Sequence, residues 1–122
     1  MSAVLELLGA HACEATKQSF GTAAKLREQL LALADDRGVV LAHSERSWRS
    51  ATYAGTRHIV SIEFAGHSSM IAGEAMLAAL PSHEFILPGE LVCEATIKSA
   101  ERKAAPVSRL TAIVELLLLE KG

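Results

Sequence analysis

The run VSRLTAIVELLLL, Val107 to Leu119, alternates as an extended strand does. Leu110, Ala112, Val114, Leu116 and Leu118 fall on one face, with Arg109, Thr111 and Glu115 on the other, because successive side chains of a strand point to opposite sides. The first face is built for a core. The second begins polar and finishes with Ile113, Leu117 and Leu119, which stay in water unless another element or another subunit covers them.

Just upstream, Glu90 to Ala100 reads ELVCEATIKSA, placing Leu91, Cys93, Ala95 and Ile97 on one side and Glu94, Thr96 and Lys98 on the other. The connection Glu101-Arg102-Lys103-Ala104-Ala105-Pro106 is charged and ends in a residue without an N–H for a ladder. An antiparallel hairpin with a mobile tip is the expectation.

An earlier pair of strands is expected at Val39 to Trp48 and Arg57 to Ala65, joined by the small and polar loop Arg49 to Thr56. In the second, His58, Val60, Ile62 and Phe64 alternate against Arg57, Ile59, Ser61 and Glu63, and Val60, Ile62 and Phe64 are core candidates. Between the hairpins, Gly66 breaks the strand, Ser68 or Ser69 caps a helix, and Met70 to Leu80 runs until Pro81 stops it. Its Ala72, Gly73, Ala75, Ala78 and Ala79 allow close approach to a sheet. From about Thr22, Ala23, Leu26, Leu30 and Leu33 keep helical spacing, with Lys25, Arg27, Glu28 and Asp35 outside and Gly38 as terminator. Ser2 caps a first helix, or Ala3 to Leu8 forms a short strand.

The order helix, hairpin, helix, hairpin predicts an α+β fold: a largely antiparallel sheet of about four strands with two or three helices on one face. With 122 residues, one domain over 1–122 is expected. Half the residues are hydrophobic and 21% are charged, which argues against disorder. A net charge of −2 offers no basic footprint, so specific nucleic-acid binding is not expected. Cys13 and Cys93 read as buried free thiols of a reducing compartment. The start MSAVLELLGAHACEA lacks a basic n-region and is interrupted by Glu6, Gly9 and His11, so neither a signal peptide nor a membrane span is expected.

A search for chemistry returns nothing that points to an enzyme. The five histidines show no H-x-x-x-H pair and the cysteines no C-x-x-C, so no metal site is expected. Gly66-His67-Ser68-Ser69-Met70 starts like a nucleophile elbow, but Met70 stands where a second glycine is required. No phosphate-cradling glycine motif is present, and no cofactor is expected. Glu45, Arg46, Arg49 and Arg57 surround the first hairpin, as a solvated strand end or as a docking arm. Trp48, the only tryptophan, either anchors such an arm or fills the edge of the core.

Several short stretches carry a resemblance: Ser47-Trp48-Arg49-Ser50, then Ala54-Gly55-Thr56-Arg57-His58 and Ile59-Val60-Ser61-Ile62-Glu63-Phe64. After them come a helix ending Ala79-Leu80-Pro81, then Leu87-Pro88-Gly89, and the strand closing Val114 to Glu120. In this order they resemble the tail-terminator, or tail-completion, proteins of long-tailed bacteriophages, most of all their counterparts in alphaproteobacterial gene transfer agents. The resemblance covers roughly the C-terminal two-thirds. Before Val39 it fails, since Asp35-Asp36-Arg37-Gly38 makes a short turn where relatives carry an extended loop.

The resemblance implies a structural subunit, assembled in the cytoplasm and ending in a virion or phage-like particle. Its partners would be further copies of itself in a hexameric ring, the major tail tube protein, and a head-completion or connector protein. Arg46, Trp48, Arg49 and Arg57 would then form a tube-docking hairpin, and Ile113, Leu117 and Leu119 a subunit interface. The competing expectation is a small oligomeric enzyme or ligand-binding domain of hot-dog or ferredoxin-like architecture, although Glu74 in mid-helix is poorly placed for hot-dog catalysis. Neighbouring genes for a portal, capsid and tail tube would discriminate the two.

Overall fold

The structure, a computed structural model, describes the backbone of residues 13–120 and the side chains of 21–120. The first helix or strand expected within residues 2–12 and the side chain of Cys13 lie outside the described residues. Helix α1, Cys13–Ala32, leads into strands β1, Val39–Arg49, and β2, Ala54–Ala65; helix α2, His67–Ala79, and a 3-10 turn, Leu80–Ser82, then lead into β3, Glu90–Lys103, and β4, Arg109–Glu120. The four strands form one antiparallel sheet in the order β1-β2-β4-β3. This is the expected α+β arrangement.

Strand β4 is central, between β2 and β3, so its backbone is paired along both edges. Leu110, Ala112, Val114, Leu116 and Leu118 are fully buried, opposite Phe64, Ile62, Val60, His58 and Thr56 of β2. Leu26, Leu30 and Ala34 from the first helical region and Ala72, Met76 and Leu77 from α2 close the same core. The opposite face of the sheet has no helix over it among the described residues.

Edge strands β1 and β3 are interrupted. Leu41 is an extra residue in β1, and Cys93 and Lys98 are extra residues in β3. Each bulge exchanges the faces of the residues beyond it. Consequently Val92, not Leu91, accompanies Ala95 toward the core, while Leu91 pairs with Leu119 on the open face. The expected common side for Leu91, Cys93, Ala95 and Ile97 is therefore corrected. Cys93 is exposed rather than buried, and its thiol donates to the Leu117 carbonyl at 3.3 Å.

Local signals were satisfied by other atoms than expected. Helix α1 is already formed at Cys13, where the described residues start, so it extends upstream of the expected start at about Thr22. It closes when the Asp36 N–H bonds the Leu31 carbonyl at 2.8 Å, with Asp35 and Asp36 themselves at positive φ, a region aspartate tolerates. Gly38 serves packing instead: a Cβ there would stand 2.6 Å from the Phe64 ring and 2.8 Å from Ile62. Neither Ser68 nor Ser69 caps α2. Gly66 does, at φ 96°, accepting from the Met70 N–H at 2.9 Å, so both serines lie inside the first turn.

Candidate assembly surface

Cross-strand register assembles the open face row by row. Trp48 pairs with Gly55, Gly55 with Leu119, and Leu119 with Leu91. In the next row Arg46 pairs with Arg57, Arg57 with Leu117, and Leu117 with Glu94. Ser44, Ile59, Glu115 and Thr96 make the third row, and Ala42, Ser61, Ile113 and Ser99 the fourth. Arg46, Trp48 and Arg57, expected in a docking hairpin, and Ile113, Leu117 and Leu119, expected in a subunit interface, thus share one contiguous surface. Arg49, one position beyond Trp48, projects to the other side by the alternation of the strand. Leu91 and Ile59 join the patch. Ile59 was legible from its own alternation, whereas Leu91 was hidden by the bulge at Cys93.

Gly55 makes the Trp48 end of this surface flat. A Cβ at Gly55 would meet the Leu118 carbonyl oxygen at 1.9 Å and the Trp48 Nε1 at 3.0 Å, so the indole and the β4 backbone both occupy the space of the missing side chain. Trp48 therefore belongs to the open face and not to the helix-side core. Its Nε1–H is screened from water and has no acceptor among the described residues, a cost of about 1–3 kcal/mol.

Charges on the face are mostly matched. Glu115 receives Arg57 and, at 3.3 Å, Lys98; the hydrogen bond from Arg57 is the main reason its carboxyl lies below the usual carboxylate range. Glu63 receives Arg109 at 3.0 Å. Arg46 has no ion-pair partner among the described residues. The hairpin end is therefore positive beside Trp48, and the β4 end is aliphatic.

A second polar cluster lies on the helix side, under α1. Arg27 bonds His43 Nδ1 at 2.9 Å, and His43 Nε2 lies 2.8 Å from Nδ1 of His58, whose exposure is 1%. Arginine can only donate, so His43 Nδ1 accepts and His43 Nε2 carries the proton that bridges to His58. Burial first, then His58 and Arg27, pushes the His43 pKa down to about 4; burial likewise lowers that of His58, against the pull of Glu45.

Glu45 lies opposite His58, and candidate ligand atoms of His43, Glu45 and His58 fall within 4.8 Å of one another. A search along the chain for paired ligands misses such cross-strand neighbours. A metal-bound imidazole normally donates its far N–H to an acceptor, whereas the far nitrogen of His43 is itself an acceptor for Arg27. The arrangement is that of a proton-bridged pair tying α1 to the sheet. Nearby, Glu90 takes Thr22 Oγ1 at 3.1 Å on one oxygen and has its other oxygen screened without a partner among the described residues. Burial raises its pKa, against the Thr22 bond and with help from Glu120 and Glu45.

Residues weighed for catalysis are not assembled into a catalytic group. Ser68 is exposed and has no hydrogen-bonded base among the described residues. Glu74 is occupied by Arg102 through two bonds of 2.5 and 2.7 Å. No helix among the described residues is long and apolar enough to cross a membrane.

The fold is similar to that of a chain in the solved virion of a native gene transfer agent particle. The two share 15% sequence identity with a TM-score of 0.53, over 90% of this chain and 99% of that one. At this identity the likeness is one of fold. No protein-family model matches the chain, and no curated protein does.

Proposed function

We propose that this chain is a structural component of a phage-like particle, and specifically a tail terminator: a subunit of a ring that caps the head-proximal end of a tail tube, stops its growth and meets the head connector. The observation that carries this reading is the open sheet face, where Ile59, Leu91, Ile113, Leu117 and Leu119 lie together with no covering element among the described residues. An apolar patch bordered by charge is what an assembly contact requires. The fold shared with a gene transfer agent particle chain supports the reading from outside the sequence.

Within this proposal the positive end at Arg46, Arg57 and Trp48, with Arg49 at the hairpin tip, docks on the tube protein. The aliphatic end at Ile113, Leu117 and Leu119 meets the neighbouring subunit. Assembly takes place in the cytoplasm before the protein becomes part of the particle. The test is tube length, measured by electron microscopy when tail tube protein polymerises with this chain or with its Arg46→Ala/Arg49→Ala/Arg57→Ala variant. Native protein gives capped tubes of limited length and the folded variant gives tubes of uncontrolled length. Equal lengths with both, or no effect of either, would refute the docking role.

A further inference from the structure

Ile86 is 80% exposed, more than any other large hydrophobic among the described residues. It is also held rigidly. Gln29 of α1 donates Nε2 to its carbonyl at 2.5 Å and accepts its N–H on Oε1 at 2.8 Å. On either side, Phe85 packs against the core and Leu87 is buried. The side chain is thus presented outward on a fixed backbone, which lowers the ordering cost of a contact made through it.

At the other end of α2 lies a matching concavity. Gly66 at the start of the helix bonds the Ser108 carbonyl at 2.7 Å, and between the first turns of α2 and the β3–β4 connection a groove of about 330 Å³ opens. Met70 and Ile71 line it, the Glu74–Arg102 pair forms one wall, and Lys103 stands at its margin. Glu84, exposed two residues before Ile86, and Lys103 have no ion-pair partners among the described residues. Knob and groove are separated by the length of α2, about 20 Å, so the one cannot fill the other within a subunit.

We infer that Ile86 of one copy of this chain enters the groove beside Met70 and Ile71 of the next copy, with Glu84 meeting Lys103. Two copies related by a two-fold axis could exchange such contacts as a closed pair, whereas a head-to-tail series leaves one knob and one groove open at its ends. The ring reading, on which this inference rests, selects the series. The contact lies outside the open sheet face and is tested separately from it.

The experiment traps the contact by oxidation. Ile71→Cys and Ile86→Cys are combined with Cys13→Ser and Cys93→Ser, and the chain is oxidised free at high concentration and again on tail tubes. The expected result on a non-reducing gel is a ladder reaching trimers and beyond, while chains carrying either new cysteine alone stay monomeric. Ile86→Asp should weaken self-association at least roughly tenfold. Glu84→Lys should weaken it too, and adding Lys103→Glu to Glu84→Lys should restore it. Dimers only would show the contact closed about a two-fold axis and overturn the head-to-tail series, whereas no crosslinks from a chain that self-associates or caps tubes, or no restoration by the charge exchange, would overturn the contact and leave the ring reading standing. A native chain that neither self-associates nor caps tubes would overturn both.

Discussion

His43 gives its Nε2 proton to Nδ1 of His58 across 2.8 Å, with Arg27 donating to the opposite side of the His43 ring. The bridge requires His43 to be neutral. The folded His43 pKa is lowered from 6.5 to about 4, and that of His58 is lowered too. Between these values the unfolded chain binds more protons than the folded one, so stability rises with pH in that window. It is full above about 6.5 and is lost as pH falls toward 4. The His43 share should be on the order of 1–2 kcal/mol, reduced from the full linkage value by the solvent that still reaches the ring. Urea midpoints from pH 7 to pH 4 measure it. His43→Gln keeps an acceptor for Arg27 and a donor for His58 without titrating, and should flatten the profile; an unchanged slope would assign the acid sensitivity elsewhere.

Glu90 has the opposite sign. Its pKa is raised by burial, so the folded state holds the proton more tightly and this group's contribution declines as pH climbs from 4.5 through the folded pKa. Glu90→Gln removes the charge facing Glu120 and Glu45 while leaving an acceptor for Thr22. The thermal midpoint should rise by a few degrees at pH 8 and change little at pH 4.5. A loss at pH 8 would mean that the carboxylate itself is needed there.

Gly73 sets helix propensity against packing. Alanine in mid-helix is favoured by about 1 kcal/mol over glycine, yet a Cβ at Gly73 would stand 2.6 Å from the Phe64 ring, which is fully buried. Overpacking costs typically about 1–3 kcal/mol, so Gly73→Ala should be destabilising on balance. A denaturation midpoint equal to or above the native one would show that Phe64 can give way.

Leu117→Lys addresses the open face directly. The position is half-buried on a face that no helix covers among the described residues, so the substitution should leave the unfolding midpoint close to native while weakening concentration-dependent growth in mass by light scattering. Burying one such side chain contributes about 1.5–3 kcal/mol, enough to decide a modest interface after the cost of association. Unchanged self-association together with normal capping would mean that this stretch is not an interface.

How much could be read from the chain depends on how local each cause is. The core face of β4 and the inward residues Val60, Ile62 and Phe64 were legible because a regular strand in a sheet with one helix-covered face must alternate. Leu91 was misplaced because the bulge at Cys93 depends on the register with Leu117 and Leu118 and leaves no mark in the residues around it. That Trp48 and Leu119 lie in one row needed the pairing of three strands through Gly55. The His43–His58 bridge likewise joins neighbouring strands, beyond the reach of any search by spacing along the chain. The helix ends were misread for a simpler reason: backbone groups at Gly66 and Asp36 took the roles expected of serines and of Gly38.

The extra residues in β1 and β3 limit how the molecule can multiply. A sheet with two straight edges accepts another strand at either side without end, and the product is a fibre. Here Leu41 spoils one margin and Cys93 and Lys98 the other. In the proposed assembly, copies of this protein would then meet through side chains whose positions are dictated by the whole fold, so their number would be set by geometry and finite.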